Sequence, residues 1–372
     1  MKTPNFTLSN FNLLYNKIID ILTTSENPPE YLFEYFEVLN VYKTTDLSKD
    51  NLKEIHNELL KLPKLNTDLF ITNKYSDNKW NEKKALANKY FSENKETFIE
   101  PSIVPESVKR VHLIIGQTAA GKSATNIEYD DNGMVKIDTD QYRMYDPDFR
   151  DLSSYGISLF EYSEFDLTQA FSSQINENIR LYCDDNKLSY TIDTSLGDSK
   201  GDVDWWYDEL YKKQESEGID IEISVLATNP TTSAFFKELR YLNEIMENGN
   251  GRNVTNDAHT KSANNVLDFV QRLDVEAKPP KIHMYTSGSR VDTPEEGIYS
   301  KFLECITYET DTQNPKKIIQ VVHKNYQEYK KYIPSSLIKK EILANYKGFV
   351  KMLENSGVKV EKKFSSLETK NQ

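Results

Sequence analysis

The sequence predicts an α/β fold: a parallel sheet with helices on both faces, plus N- and C-terminal helical extensions. Three observations carry this expectation. From about residue 109, short apolar runs of strand length alternate with longer segments of helical periodicity. Before residue 105 and after residue 315 the strand-like runs stop and helical spacing takes over. A glycine-rich loop stands at the end of the first run, where a chain leaves a strand for a helix.

The elements follow in order. Phe11, Leu14, Ile18 and Leu22 recur at helical spacing, and Asn27-Pro28-Pro29 ends that helix. Tyr31, Phe33, Tyr35, Phe36 and Leu39 mark a second helix; Leu52, Ile55, Leu59 and Leu60 mark a third. Lys79 to Phe98 reads as another, and Pro101 and Pro105 then punctuate the chain. Residues 1–105 are therefore expected to form a helical N-terminal segment and 106–315 the α/β domain. Its strands are expected at Val111–Ile115, Met134–Ile137, Tyr190–Ile192, Ile221–Leu226 and Lys281–Tyr285. Helices are expected between them, among them Leu167–Tyr182 and Thr231–Met246. Residues 316–372 read as a lysine-rich helical extension, its charges either a solvated face or a dock for an acidic partner.

Composition narrows the class. Of 372 residues, 38% are hydrophobic and 12% aromatic, enough for a packed core. The net charge of −12 disfavours nonspecific nucleic-acid binding. The two cysteines, Cys183 and Cys305, lie far apart and outside any metal-ligand spacing, which fits a reducing compartment. No signal peptide and no membrane-spanning apolar run are recognisable, so a cytoplasmic protein is expected.

Residues Gly116-Gln117-Thr118-Ala119-Ala120-Gly121-Lys122-Ser123 match G-x-x-x-x-G-K-[ST], the phosphate loop (P-loop) of ATP- and GTP-binding proteins. Gly116 lets the chain turn off its strand. Gly121 removes a Cβ where backbone approaches phosphate. Loop amides and the N-terminus of a following helix point at the anion. Lys122 brings a positive charge to the β- and γ-phosphates, and Ser123 offers its hydroxyl to Mg²⁺.

Some fifteen residues on, a strand ends in Ile137-Asp138-Thr139-Asp140. Two acids two positions apart on extended chain point the same way. One can orient an acceptor hydroxyl while the other helps to hold Mg²⁺; alternatively, such an acid caps a helix. Asp193, after the third strand, is placed to reach the metal through water or the acceptor, or is a turn residue. Two arginines follow the fourth strand and suit the charge of a phosphoryl group in transfer. Arg240 lies on a helix, and Arg252 lies in the glycine-rich stretch Gly249–Val254, which suits a lid.

Taken together, these residues resemble the zeta toxin family of P-loop kinases, from about Val111 to Tyr285. GQTAAGKS resembles that family's GQPGSGKT, and IDTDQYRMYDPDF resembles its I-D-x-D-x-[FY]-[KR]-x-x-x-P-x-[FY] stretch. YTIDTS resembles its strand ending in I-E-G-T. ELRYLNEIMENGNGRNVTNDAHTKSANNV resembles its arginine-tyrosine helix and lid arginine, with the later His259. The resemblance implies a P-loop kinase-like fold. It implies Asp140 as general base, with Lys122, Arg240 and Arg252 steadying the γ-phosphate. Asp138 is then left beside Ser123 for Mg²⁺. It also implies that Glu177 binds the acceptor, where the residue type alone suggests a solvated helix face. Asp193 and Ser195 belong to the same acceptor pocket.

The implied reaction is ATP- or GTP-dependent phosphorylation of a small-molecule hydroxyl by a toxin or effector. In the best-known members the acceptor is UDP-N-acetylglucosamine; other relatives use a nicotinamide dinucleotide. Such toxins are commonly restrained by a helical antitoxin. The first hundred residues are accordingly either an extension of the kinase core or an inhibitory or targeting module in cis. Asp193 stands where the family has a longer Glu, Thr194 replaces a glycine, and Leu196-Gly197-Asp198 precede Lys200, so the acceptor is left open. Two other readings remain. One is a nucleic acid end kinase, which the acidic charge disfavours. The other is a nucleotide-gated binding module without acceptor chemistry, which Asp140, Arg240 and Arg252 argue against.

Overall fold

A computed structural model of the chain describes residues 6–43, 47–66, 69–70, 77–124, 127, 131–149, 159, 164–197, 200–248, 254–276, 280–286, 289–291 and 297–312. The lysine-rich extension at 316–372 and Arg252 lie outside them.

The five expected strands form: β1 (Arg110–Ile115), β2 (Val135–Ile137), β3 (Tyr190–Thr194), β4 (Asp220–Leu226) and β5 (Lys281–Thr286). They run parallel in the order β2-β3-β1-β4-β5, that of a P-loop kinase-like fold flanked by helices. A sixth strand absent from the sequence reading, β6 (Ser289–Val291), pairs antiparallel with β5 at the edge. Leu113 of β1 lies opposite Ile192 of β3 and Ile223 of β4. The side-chain period of two therefore puts Val111, Leu113 and Ile115 on one face with Ile192, Ile223, Val225 and Met284. That apolar face buries Phe171, Ile175 and Ile179 of one helix (Glu164–Asp185) and Val266, Phe269 and Leu273 of another (Asn256–Asp274).

Alternate residues on the opposite face are more polar: His112, Asp193, Ser224 and His283 are among them. His112 Nε2 meets Ser224 Oγ at 2.8 Å, so burial of these groups is compensated across the strands.

The N-terminal helices are α1 (Leu8–Thr24), α2 (Tyr31–Tyr42), α3 (Lys49–Leu59) and α4 (Asp77–Glu93). A capping box starts α1: the Asn10 amide donates to Thr7 Oγ1 at 3.2 Å, and the Thr7 amide donates to Asn10 Oδ1 at 2.7 Å. Ser48 caps α3 in the same way through the Asn51 amide. Phe11, Leu14, Ile18, Leu32, Tyr35, Leu39, Ile55 and Leu59 fill one buried cluster. In the aromatic run 31–36, Leu32 and Tyr35 turn inward while Phe33 stays half exposed.

This cluster continues into the α/β domain. It includes Phe235 and Tyr241 of the helix Pro230–Asn248, and Leu159, whose carbonyl accepts from the Leu65 amide at 2.8 Å. Helix α4 packs elsewhere, with Ala87 in the sheet's own core. Its Lys83 is buried against Asp146 and Asp148, the latter at 2.6 Å. That contact ties α4 to the segment that carries the aspartate pair. In order after α4 we number the longer helices α5 (Glu164–Asp185), α6 (Pro230–Asn248), α7 (Asn256–Asp274) and α8 (Ile298–Thr312). No helix among the described residues is long and apolar enough to cross a membrane.

Four described histidines are buried, and burial pushes three of them, His56, His112 and His259, down to about 4. Their folded-state values lie below the ordinary value near 6.5, so the unfolded chain takes up protons first as pH falls. The stability they protect is complete above about pH 6.5 and is lost as pH falls towards 4, by roughly 1.4 kcal/mol per pH unit for each histidine. The urea midpoint is expected to drop between pH 7 and pH 5. An unchanged midpoint would show that these rings are hydrated.

Candidate active site

The phosphate loop leaves the C-terminal end of β1, where an open parallel sheet forms its crevice. The role of Gly116 differs from the sequence expectation. Its φ is not positive. What it supplies is space, because a Cβ there would lie 3.1 Å from Leu226 Cβ and 3.2 Å from Ala120 Cβ. The turning is done by Ala119 (φ 59°) and Gly121 (φ 92°), both in the left-handed region.

The loop runs into a 3-10 turn, Lys122–Ala124, and most of the stretch where the helix after the loop is expected, residues 125–126 and 128–130, lies outside the described residues. β2 begins soon afterwards, at Val135, with Gly133 turning the chain into it (φ 73°).

The loop is braced from behind. Gln117 Nε2 donates to Thr228 O at 2.6 Å and to Ser233 Oγ at 3.1 Å. Thr228 Oγ1 donates to Ala120 O at 2.7 Å, and Ser233 Oγ shares a 2.9 Å hydrogen bond with His259 Nε2. His259 is therefore a buried neutral brace. A polar chain of this kind, satisfied throughout, holds a loop in one conformation before ligand arrives.

A cavity of about 1000 Å³ opens above the loop. It gathers Thr118 to Ser123, Asp138, Asp140, Glu177, Asp193, Ser195 and Arg240, so every expected site residue from Thr118 on that lies among the described residues lines it. Gly116 and the buried Gln117 lie beneath. Lys122 Nζ donates to Gly116 O at 2.7 Å and stands 3.6 Å from Asp193 Oδ1. Burial pushes the Lys122 ammonium down in pKa and the Asp193 carboxyl up, and each charge offsets the other's penalty. Asp193 thus serves as the countercharge of the loop lysine, a role its position after a strand did not reveal.

The two aspartates have separated duties. Asp138 caps the short helix Thr139–Tyr142: its Oδ1 accepts from the Asp140 amide at 3.0 Å, and its Oδ2 from Gln141 Nε2 at 3.1 Å. Asp140 is half exposed, and its Oδ1 accepts from Arg143 Nε at 3.1 Å. Arg143 is 2% exposed, and its other nitrogens donate to Thr168 Oγ1 at 3.3 Å and to Gln169 Oε1. A buried, fully engaged guanidinium thus aims one open carboxylate into the cavity. Arg143 was not singled out from sequence. Its spacing of three from Asp140 on a helical turn was the available signal.

The wall beyond Asp140 comes from α5 and from the turn after β3. Gln169, Ser173, Asn176 and Glu177 share one face of α5 at helical spacing. Glu177 is gripped by Arg180, with Oε2 at 3.0 Å from Nε and Oε1 at 2.7 Å from NH2. The turn Ser195–Gly197 is pinned by α7, since Ser262 Oγ donates to Ser195 O at 2.8 Å and Asn265 Nδ2 to Leu196 O at 3.1 Å. Gly197 takes φ 69°, and a Cβ on it would fall 2.6 Å from Asp202 Cβ. Gly197→Ala is accordingly expected to cost about 1–3 kcal/mol in urea denaturation. A loss below about 0.5 kcal/mol would show a turn that rearranges freely.

The sequence model of the zeta toxin family matches residues 95–296, more than half of the chain. The chain belongs to the zeta toxin family. The match of this zeta toxin relative takes in the phosphate loop, the aspartate pair, Glu177, Asp193 and both α6 and α7. It leaves out α1 to α4, including the Lys83 anchor. Among solved structures, one from the PezAT chromosomal toxin-antitoxin system of the human pathogen Streptococcus pneumoniae is 20% identical, with 69% of this chain and 98% of that one covered and a TM-score of 0.49. The AvrRxo1-ORF1:AvrRxo1-ORF2 complex with sulphate ions is 11% identical, with 68% and 82% covered and a TM-score of 0.40. No curated protein matches the sequence.

Proposed function

We propose that this zeta toxin relative is a kinase that moves the γ-phosphoryl group of ATP or GTP onto a hydroxyl of a small molecule, acting as a toxin or effector. One observation carries the reading: the loop lysine, Lys122, and the arginine-held carboxylate of Asp140 line the same cavity. In this reading the acceptor oxygen bonds to the γ-phosphorus, its proton passes to Asp140, and the bond from the γ-phosphorus to the β–γ bridging oxygen breaks. Lys122 and Arg240 face the phosphate end and offset the charge that spreads over the equatorial oxygens. Arg252 follows α6 in sequence and is proposed to join them.

The donor set suits Mg²⁺. Ser123 and Asp138 both line the cavity, and among the described residues no cluster of three or more His, Cys, Asp or Glu is built for a metal. Mg²⁺ characteristically takes one or two protein oxygens plus phosphates and water. Because both Asp138 oxygens already accept hydrogen bonds, that residue is suited to act through water. Bound there, the ion would neutralise charge on the β- and γ-phosphates.

The family's toxin character supports an antitoxin partner, and two free, buried cysteines fit a reducing, cytoplasmic site of action. UDP-N-acetylglucosamine, other nucleotide sugars and dinucleotides are the acceptors to try first. An inhibitory segment in cis is less well supported, because no described residue of the first 105 lines the cavity and α1 to α3 pack on α6 instead. A nucleic acid end is disfavoured by five carboxylates against three cations among the described lining residues.

Mass spectrometry of small metabolites, after the protein is incubated with ATP, Mg²⁺ and a cell extract, tests the proposal. A metabolite gaining one phosphate, absent with the Lys122→Ala protein, is the expected result. Consumption of nucleotide with no phosphorylated metabolite would refute acceptor chemistry.

A further inference from the structure

We propose that Lys83 is a positioning residue for Asp140: from helix α4, which precedes the residues matched by the family, it fixes the far end of the segment that carries this carboxylate. The inference rests on the kinase reading and deepens it, since that reading gives Asp140 its role.

Asp140 stands in a short stretch clamped at both ends. Asp138 caps the helix Thr139–Tyr142 at its start. A 3-10 turn, Arg143–Tyr145, continues the stretch and ends on Asp146, whose amide donates to Arg143 O at 3.0 Å. The Asp146 side chain accepts in turn from the Asp148 amide at 2.9 Å and from Lys83 Nζ. Asp146 is fully buried and Lys83 is 3% exposed. The second clamp is therefore a lysine that stands 63 residues earlier in the chain.

Between the clamps the stretch leans on α4 and on the turn after it. Tyr145 packs against Tyr90 and Phe98, with ring centroids 5.6 and 5.2 Å away, and Tyr142 meets Phe98 edge-on at 5.5 Å. Helix α5, which supplies Thr168 and Gln169 to Arg143, rests on α4 as well: Asn178 Nδ2 donates to Asn88 Oδ1 at 2.8 Å. Both supports of the Arg143–Asp140 pair thus meet on α4.

A buried ion pair adds little net stability, because desolvation offsets its attraction; what it supplies here is one fixed geometry. Asp148 also converges on Lys83, at 2.6 Å, so the lysine cannot shift without abandoning a buried charge. A misplacement of about 1 Å at a catalytic group costs on the order of 10²-fold in rate. Loosening the clamp would have that effect on proton transfer to Asp140 while sparing the loop that holds phosphate.

The test compares the full wild-type chain with Lys83→Met and with Lys83→Met/Asp146→Leu; the double variant removes the buried Asp146 charge as well, should the single one not fold. Label transfer from [γ-³²P]ATP to the metabolites of a cell extract gives the rate. Titration with N-methylanthraniloyl-ATP and Mg²⁺ gives nucleotide affinity. The rate per folded molecule is expected to fall about ten- to hundredfold, with nucleotide affinity within about threefold of the parent. Hydrogen exchange of residues 139–146 should quicken while β1 and β3 stay protected. In an Asp140→Asn background the same changes should cost less than about threefold more, because residues that act as a unit are not additive.

Four results would each overturn the proposal: a rate within about threefold of wild type, equal losses of rate and nucleotide affinity, unchanged exchange of residues 139–146, or the full extra loss in the Asp140→Asn background. Failure of both variants to fold would do the same, by making Lys83 a residue of the core alone. Wild-type phosphorylation keeps the two readings apart. If it is present and the variants match it, only the positioning role is wrong; if it is absent, the kinase reading fails first.

Discussion

Lys122→Ala is expected to lower phosphoryl transfer at least a hundredfold, in line with the roughly 10²–10³-fold cost of removing one preorganised charge from a transition state. The lysine is positioned for that loss. Its ammonium is largely enclosed, hydrogen-bonded to the Gly116 carbonyl inside the loop that would cradle the phosphates. No other described cation belongs to that loop, and Arg240 reaches the cavity from a different element. The variant also leaves Asp193 without its countercharge. Burial already raises that carboxyl, so the side chain can take a proton and lose its charge, which limits the damage to the fold. Circular dichroism and a melting temperature within a few degrees of the parent are therefore expected alongside the lost turnover. A folded Lys122→Ala protein that keeps more than about a tenth of its turnover would remove the basis for assigning the loop.

Asp140→Ala is the second large effect. A general base contributes roughly 10²–10⁴-fold, so acceptor phosphorylation should fall by that factor while the ATP dissociation constant changes little. The separation is expected because Asp140 is held by Arg143 and is not one of the loop amides proposed to grip phosphate. Asp138→Ala should look different. It loses a helix cap, worth about 1 kcal/mol, together with any oxygen offered to Mg²⁺, so nucleotide binding and stability should suffer together. Steady-state kinetics on both variants, with ATP affinity measured by calorimetry, distinguish the two acids. A severe turnover loss in Asp138→Ala with none in Asp140→Ala would mean that the base is the other carboxylate.

The primary sequence alone determined the strand count of the parallel sheet, the order in which its motifs occur and the position of the G-x-x-x-x-G-K-S loop. These features are local. A run such as Val111–Ile115 carries its own period, and the G-x-x-x-x-G-K-S spacing is set by a single turn of backbone. The sequence also pointed to Asp138, Asp140, Glu177, Asp193 and Arg240, because a recognisable order of motifs accompanies them.

Tertiary structure decided what each residue does. Asp193 answers Lys122 only because β1 and β3 are neighbours, a pairing between residues far apart in the chain. His259 braces the loop because α7 returns to Ser233, and Arg143 commits to Asp140 because Thr168 and Gln169 on α5 close around its other nitrogens. Trp205 and Trp206 carried no motif signal in the sequence, and the fold sets both on the cavity wall. Helix α4 was grouped with the preceding helices by periodicity, yet Lys83 binds it to Asp146 and Asp148 in the α/β domain. The physical reason is common to all of these. Periodicity and turn chemistry act over a few residues, whereas burial and ion pairing are satisfied by whichever side chains the folded sheet brings within a few ångströms.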